Sequence, residues 1–334
     1  MKSPFALLAL IALSSSASAH HSRAEFGAAV EEISGELVEV RWINPHAGFV
    51  LKTAAPNGEQ MWRIETFSGP RAFVRFGVTA ELFRTGERIT FAGRRSKYRE
   101  GYFLGTNALL ADGTEVLIGE DGRHWTQGRV VGSGFRATQA VNEEALHAAS
   151  GENRGIFRVW SVTDRTATEA YPFTDAAVAA RAQWDPAEEP VHRCEQPGMP
   201  VTMKPITPIE FVDEGERILL RSRYFDTVRT IHVGQSRDVS GVSPSHLGYS
   251  VGRWDGGTLV VETTRINYPR FDTSGTPQSD QVRIRETFAV SEDQSRLDYH
   301  MTLTDPATFT GPAEFARYYL ALAESLDKFE CSPL

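Results

Sequence analysis

Residues 33–67 read ISGELVEVRWINPHAGFVLKTAAPNGEQMWRIETF, and this stretch decides the fold of the first third of the chain. Apolar residues at Ile33 and Leu37 predict a strand over 33–42 that buries one face, and Val40 is a further candidate for an inward position. The polar segment 44–48 ends that strand, and a second strand begins at Phe49. Asn57-Gly58 is a hairpin signal, and the alternation that follows over 61–67 predicts a third strand.

The chain after this stretch completes the pattern of a small barrel. Ser68-Gly69-Pro70 opens a predicted helix over 71–76, and strands are predicted over 88–93 and 102–110, with a short run at 115–118. Three strands, a helix and two more strands is the order of an OB barrel, although other small strand-rich barrels give a similar pattern. We therefore predict an OB-like five-stranded barrel for the domain 20–119.

The second half of the chain is predicted to be a separate β-rich domain. Residues 120–205 have weaker periodicity and read as a connector with short helices at 141–149 and 174–182. Eight candidate strands then follow, at 206–212, 217–225, 227–233, 247–254, 257–265, 281–290, 295–304 and 313–321. Short strands joined by turns favour an antiparallel lipocalin-like barrel or a sandwich over 206–334. The chain as a whole is predicted to be mainly β.

The composition excludes several classes of protein. The 334 residues carry a formal net charge of −8, and 41% of them are hydrophobic. This is typical of a globular protein, and it excludes collagenous and wholly disordered chains. A mildly acidic chain is also a poor nucleic-acid binder, because phosphate contacts need clustered Lys and Arg. No other stretch after the first 19 residues is apolar enough to span a membrane.

The first 19 residues read as an export signal. Lys2 precedes an apolar run from Phe5 to Leu13, and Ala17-Ser18-Ala19 is a small-residue cleavage site. Cleavage after Ala19 leaves His20 as the first residue, whereas a competing cut after Ala17 leaves Ser18. The expected location is the periplasm or the extracellular space, where Cys194 and Cys331 are expected to form a disulfide rather than two buried thiols.

Several motifs carry a resemblance. Ala19-His20-His21-Ser22, together with Arg41-Trp42-Ile43-Asn44-Pro45-His46, resembles the opening of a widespread bacterial family of exported proteins of unknown function. The second half is similar to uncharacterised secreted bacterial proteins through the stretches 184–186, 193–200 and 246–254. The resemblance implies export and a two-part architecture, and it supplies no activity.

The predicted N-terminal histidine suggests a metal site. A free His20 offers its α-amino nitrogen and its imidazole to one metal, and His46 is the leading third nitrogen, with His21 as the alternative. Such a site is similar to the histidine brace of secreted copper proteins, and nitrogen ligands suit Cu(II). Those copper families use a β-sandwich, which residues 20–118 do not predict. The alternative is that His20 and His21 form a plain polar terminus.

A second candidate site lies in the C-terminal domain, where Glu286 shares a predicted strand face with apolar residues. A carboxylate in such surroundings is paired or has a raised pKa. A catalytic group of Glu286, His232 and His246 would act on a small apolar substrate as an isomerase, hydratase or lyase. The residues predicted to bind the ligand are Arg223, Arg229, Tyr249 and Arg253.

Two further alternatives remain open. For Glu286 the alternative, which the residue pattern favours over catalysis, is a buried Glu–Arg pair that only stabilises the domain. For the whole chain the alternative is an envelope interaction module without catalysis. The sequence contains no phosphate-binding loop, Gly-x-Ser-x-Gly elbow, His-Glu-x-x-His or Cys-x-x-Cys motif. The metal-binding protein, with copper as its ion, is the leading prediction.

Overall fold

In the computed structural model of the chain, the described residues run from 26 to 331. The gaps within this range are 45, 57, 67, 120–121, 133–142, 151–153, 163–166, 186–187, 235–238, 322 and 324. The predicted export signal, His20 and His21 therefore lie outside the described residues.

The first domain is a closed five-stranded barrel. Its strands are β1 (Glu31–Arg41), β2 (Gly48–Ala55), β3 (Gly58–Glu65), β4 (Arg88–Arg95) and β5 (Tyr102–Leu109), with helix α1 (Pro70–Arg75) between β3 and β4. The ladder runs β3-β2-β1-β4-β5, and a parallel pairing of β3 with β5 closes it. This is the OB order that the sequence predicted.

Aromatic side chains fill the interior of this barrel. The ring of Phe49 lies 4.6 Å from that of Phe83 and 5.0 Å from that of Phe91, measured between centroids. Gly93 sits at a register shift between β4 and β5, where an added Cβ would lie 1.9 Å from the carbonyl oxygen of Leu104. Glycine is therefore needed at this point, because the two backbones approach too closely for any side chain.

The segment predicted as a connector contributes strands to both sheets. It contains β7 (Val130–Val131), α2 (Glu143–Ser150), β8 (Val159–Trp160), β9 (Thr168–Ala170) and α3 (Asp175–Ala182), and β6 (Glu115–Leu117) precedes it. Strands β6 and β7 extend the first sheet beyond β5. Strands β8 and β9 instead form the two edges of the second sheet. Thr174 caps α3, since its side chain accepts a hydrogen bond of 3.2 Å from the backbone N–H of Ala177.

The second domain is one curled sheet of ten strands, a half-barrel, in the order β8-β10-β11-β12-β13-β14-β15-β16-β17-β9. The remaining strands are β10 (Ile209–Asp213), β11 (Arg217–Ser222), β12 (Thr227–Val233), β13 (Tyr249–Asp255), β14 (Thr258–Thr264), β15 (Arg283–Val290), β16 (Arg296–Thr304) and β17 (Ala313–Leu320). The predicted strands are present, and the overall class is mainly β as expected.

One strand pair departs from sequential hairpins. Strands β12 and β13 pair in parallel, whereas every other consecutive pair from β10 to β17 is antiparallel. A parallel pair cannot be joined by a tight hairpin turn, so β12 and β13 are not a hairpin. Buried side chains, including Trp160, Phe211, Phe288 and Tyr299, form the core on one face of this sheet.

The predicted disulfide is confirmed. Cys194 and Cys331 are bonded across a sequence separation of 137 residues, with their Cα atoms 5.9 Å apart. Within the described ranges, no helix is both long and apolar enough to cross a membrane.

Candidate functional site at the junction of the two domains

His46 lies in the loop between β1 and β2 and is paired with a carboxylate. Its Nδ1 is 2.7 Å from Oε1 of Glu65, the last residue of β3. The pair is brought together because Gly48, two residues after His46, is directly opposite Glu65 in the β2–β3 ladder. Only 12% of the His46 side chain and 9% of the Glu65 side chain are exposed.

The charge on Glu65 is stabilised by its neighbours. Burial by itself would raise the pKa of Glu65, but the hydrogen bond from His46 and the nearby His192 and Arg99 lower this pKa below its ordinary value. The carboxyl of Glu65 is therefore ionised at neutral pH, and it accepts a hydrogen bond from the protonated Nδ1 of His46. In the neutral ring this fixes the tautomer in which Nε2 carries the lone pair.

A small cleft adjoins this pair. It has a volume of about 20 Å³, room for about one water molecule, and is lined by His46, Glu65, Arg41, Arg63 and Tyr102 among others. The guanidinium of Arg99 packs 3.6 Å from the ring centre of Tyr102 and 3.9 Å from the second oxygen of Glu65. The cleft therefore combines one imidazole, one carboxylate and several guanidinium groups.

The His46 loop is held against the C-terminal segment of the chain. The backbone N–H of Asn44 donates to the carbonyl of Glu330 at 3.1 Å, and Asn44 forms a parallel bridge with Cys331. The disulfide joins Cys331 to Cys194, which directly follows the short 3-10 turn Pro190–Arg193. That turn contains His192, which lies close enough to Glu65 to lower its pKa. Residues of both domains therefore meet at this carboxyl.

Glu286 is enclosed in a different kind of arrangement. Arg229 forms a bidentate ion pair with it, with one N–O distance of 3.0 Å and a second, shorter bond from Nη2 to Oε2. The hydroxyl of Tyr299 donates to the same carboxylate at 2.9 Å, and Arg229 also donates to Ser250 and Thr263. The side chains of Glu286 and Arg229 are 0% and 3% exposed. This is the buried Glu–Arg pair that the sequence left open as the alternative to a catalytic role.

The other predicted residues of that site lie elsewhere. His232 stacks on Tyr249 with ring centres 4.5 Å apart, and it points to the face of β12 opposite Arg229 because side chains alternate along a strand. His246 is exposed beside Tyr268, with ring centres 5.3 Å apart, and the exposed Arg253 lies 3.4 Å from Asp255.

The structure therefore does not assemble Glu286, His232 and His246 into a catalytic group. Of the four residues predicted to bind a ligand, it brings only Arg229 to Glu286. Arg223 lies just beyond β11, where its backbone N–H donates to the carbonyl of Pro208.

Sequence reasoning missed Glu65 and His192. Glu65 lies in the set of residues that alternates with Trp62 and Ile64, and this alternation by itself assigns Glu65 no partner. Glu65 is buried by contacts at the junction of the two domains, and the residue pattern of a single strand carries no information about such contacts. The only local signal was its position at the end of β3, where the β2–β3 hairpin returns it to the His46 loop.

The described residues give no complete metal centre. Among them, no group of three or more His, Cys, Asp or Glu side chains is placed to hold a metal ion. His46 is the one predicted ligand within these ranges, so the copper site remains a prediction.

Comparison with known proteins adds one result for the first domain. Residues 8–106 match a family of unknown function, DUF6152. The match includes His20, His21 and His46, together with β1 to β4 and most of β5. It agrees with the resemblance to an uncharacterised family over this part of the chain. No curated protein matches the chain.

Proposed function

We propose that the protein is exported and binds a transition metal, copper, through His20 and His46. The observation that carries this proposal is the 2.7 Å hydrogen bond between His46 and Glu65. Histidines that bind metals donate their second ring N–H to a carboxylate or carbonyl in nearly every case, which fixes the ring and raises its basicity. His46 has this arrangement through Nδ1, so Nε2 is the nitrogen suited to a metal.

His20 supplies the remaining nitrogens in this proposal. With its α-amine, its imidazole and the imidazole of His46, the site has three neutral nitrogen ligands, a set that favours Cu(II) over the other common divalent ions. The Cys194–Cys331 disulfide is in keeping with an oxidising compartment outside the cytosol.

The length of the chain allows this pairing. Phe26 forms a bridge with Ser96, whose N–H donates to the carbonyl of Tyr102, and Tyr102 lines the cleft beside His46. Two strand spacings, about 10 Å, therefore separate Phe26 from Tyr102. The six residues from His20 to Phe26 span at most about 20 Å when extended. This span exceeds the separation of Phe26 from Tyr102, which supports the pairing of His20 with His46.

Replacing His46 is expected to remove most of the affinity for copper. Protein that begins at His20 is titrated with Cu(II) against a competing chelator, and His46→Ala is expected to weaken binding by about 100-fold or more, since it removes a ligand. His300→Ala is the matched control, because His300 is half exposed on β16 and pairs with Glu314. Equal affinity of His46→Ala and wild type would exclude His46 as a ligand.

The contribution of the N-terminus has its own test. A variant with one glycine added before His20 keeps both imidazoles but moves the α-amine away. We expect it to lose affinity and to change the copper electron paramagnetic resonance spectrum. An unchanged spectrum would show that the terminal amine is not bound.

Glu65→Gln tests the orienting carboxylate. Glutamine keeps the shape but removes the charge that stabilises the Nδ1 proton, and copper affinity is expected to fall by about 10- to 100-fold. Glu59→Gln on the same strand is the control, because Glu59 is exposed and lies 3.6 Å from Lys52, away from His46. Identical copper affinities for Glu65→Gln and Glu59→Gln would contradict the proposed role of Glu65.

A further inference from the structure

The second sheet contains an open cleft on the face opposite its core, near the edge formed by β9. The cleft has a volume of about 310 Å³, which lies within the range of roughly 300–1,000 Å³ that is usual for small-molecule sites. Strands β15, β16, β17 and β9 all contribute to it, and the residues that line it include Thr287, Ala289, Arg296, Asp298, Ala316 and Tyr318. We call it the β16 cleft, after the strand that runs through its middle.

Small side chains produce the hollow. Ala316 on β17 lies opposite His300 of β16 on one side and Thr168 of β9 on the other. Ala289 on β15 lies opposite Asp298 of β16. An alanine side chain ends at Cβ, whereas the side chains of Asp298 and His300 extend further from the sheet. The floor is therefore low at the two alanines, and longer polar side chains stand beside it.

The polar groups beside the floor are held in place. Arg296 donates from Nε to Oδ1 of Asp298 at 2.8 Å, and its Nη2 donates to the same oxygen. The guanidinium of Arg296 also lies over the ring of Tyr318, with its Cζ 4.5 Å from the ring centre. Both charged side chains are about half exposed, so their remaining polar atoms are accessible from the cleft. Oδ2 of Asp298 and Nη1 of Arg296 thus offer an acceptor and a donor.

The charges around the cleft are paired, which favours a neutral ligand. Arg296 and Asp298 neutralise each other, and Nε2 of His300 lies 2.6 Å from Oε2 of Glu314. An anion would approach Asp298, and a cation would approach Arg296, so neither sign of charge is favoured. An apolar molecule would remove water from these polar groups without replacing its hydrogen bonds. Within the described ranges, no group of three or more His, Cys, Asp or Glu side chains is placed to hold a metal ion.

We propose that the β16 cleft binds a neutral sugar unit, as a free sugar or as part of an oligosaccharide. A sugar hydroxyl both donates and accepts, so adjacent hydroxyls can donate to Oδ2 of Asp298 and accept from Nη1 of Arg296. Tyr318 and Thr287 also line the cleft, and each supplies a further hydroxyl. This site has no residue in common with the His46 site, and it does not depend on copper.

Nuclear magnetic resonance of the alanine methyl groups tests this site, because two alanines form its floor. Glucose, N-acetylglucosamine, cellobiose and maltotriose are added separately to the full chain up to about 100 mM, a range that detects millimolar affinity. The methyl resonances of Ala289 and Ala316, assigned from their replacement by serine, are expected to shift and to saturate with at least one of the four. The methyl of Ala92, buried in the first domain, is expected not to move. If no sugar shifts the two floor resonances, the proposal is wrong.

The same titrations distinguish the two sources of a sugar unit. Tighter binding of cellobiose or maltotriose than of the monosaccharides would assign the cleft to an oligosaccharide. Equal or tighter binding of a monosaccharide would assign it to a free sugar.

Variants at the floor and the wall test whether binding takes place in the cleft. Ala316→Leu fills the floor and is expected to abolish binding. Asp298→Asn removes the charged acceptor and is expected to weaken binding about fivefold or more. Asp255→Asn is the matched control, because Asp255 is exposed on β13 and lies 3.4 Å from Arg253 in a similar pair. Thermal melting of all three variants confirms that the fold is retained, and equal sugar affinity in Ala316→Leu and wild type would overturn the assignment.

Sedimentation of the sugar-free chain tests the other possible occupant of the cleft, a second copy of the chain. We expect a monomer. Self-association that Ala316→Leu abolishes would show that the cleft is an interface between copies, and it would overturn the proposal.

Discussion

Glu286→Ala is expected to lower the free energy of unfolding of the second domain by about 3–5 kcal/mol. The substitution leaves the guanidinium of Arg229 buried without its counter-ion, and an uncompensated buried charge costs far more than the pair itself contributes. The hydroxyl of Tyr299 loses its acceptor at the same time. The measurement is urea unfolding followed by tryptophan fluorescence.

The control for this prediction is Glu262→Ala on the neighbouring strand β14. Glu262 is exposed and lies 3.5 Å from Arg285, so its loss is expected to change stability only slightly. A double variant with Arg229→Met and Glu286→Leu is expected to recover much of the loss, because apolar residues of similar volume replace both charges. Equal effects of Glu286→Ala and Glu262→Ala would show that the buried pair does not stabilise the domain.

Removing the disulfide is expected to have a comparable effect. The Cys194→Ser, Cys331→Ser double variant opens a loop of 137 residues, for which the chain-entropy model gives a loss of about 5 kcal/mol. The variant also releases the segment that pairs with Asn44, so we expect its copper affinity to fall as well.

Wild type treated with a reductant is the matching control, since it has the same broken link without a change of sequence. Both samples are expected to unfold at a lower urea concentration than oxidised wild type. Unchanged unfolding midpoints in both would contradict a stabilising role for this bond.

The sequence predicted the strands well because most of them alternate between buried and exposed residues. The short edge strand β9 was missed because Thr168, Glu169 and Ala170 are all exposed and carry no such pattern. The parallel pairing of β12 with β13 was also missed. The alternation of buried and exposed residues within a strand is the same for a parallel and an antiparallel neighbour, so it does not indicate the direction of pairing.

The candidate sites were predicted less completely. Alternation placed Glu286 correctly among buried apolar residues, but the identity of its partner, Arg229, depends on which strand faces lie together. His46 was identified from the loop between two strands. Its partner Glu65 is 19 residues away, and its burial depends on contacts with the second domain near His192.

The strands at the two edges of the half-barrel determine where the chain can be cut without exposing the sheet. Strands β8 and β9, of two and three residues, cover the outer ladders of β10 and β17, and both come from the segment that precedes Ile206. Short edge strands protect a sheet from pairing with a second molecule. A fragment cut at Ile206 would expose the eight-residue backbone of β17 along its whole length. Such a fragment would present unpaired backbone groups for self-association, so we expect the second domain to stay monomeric only when the segment before Ile206 is attached.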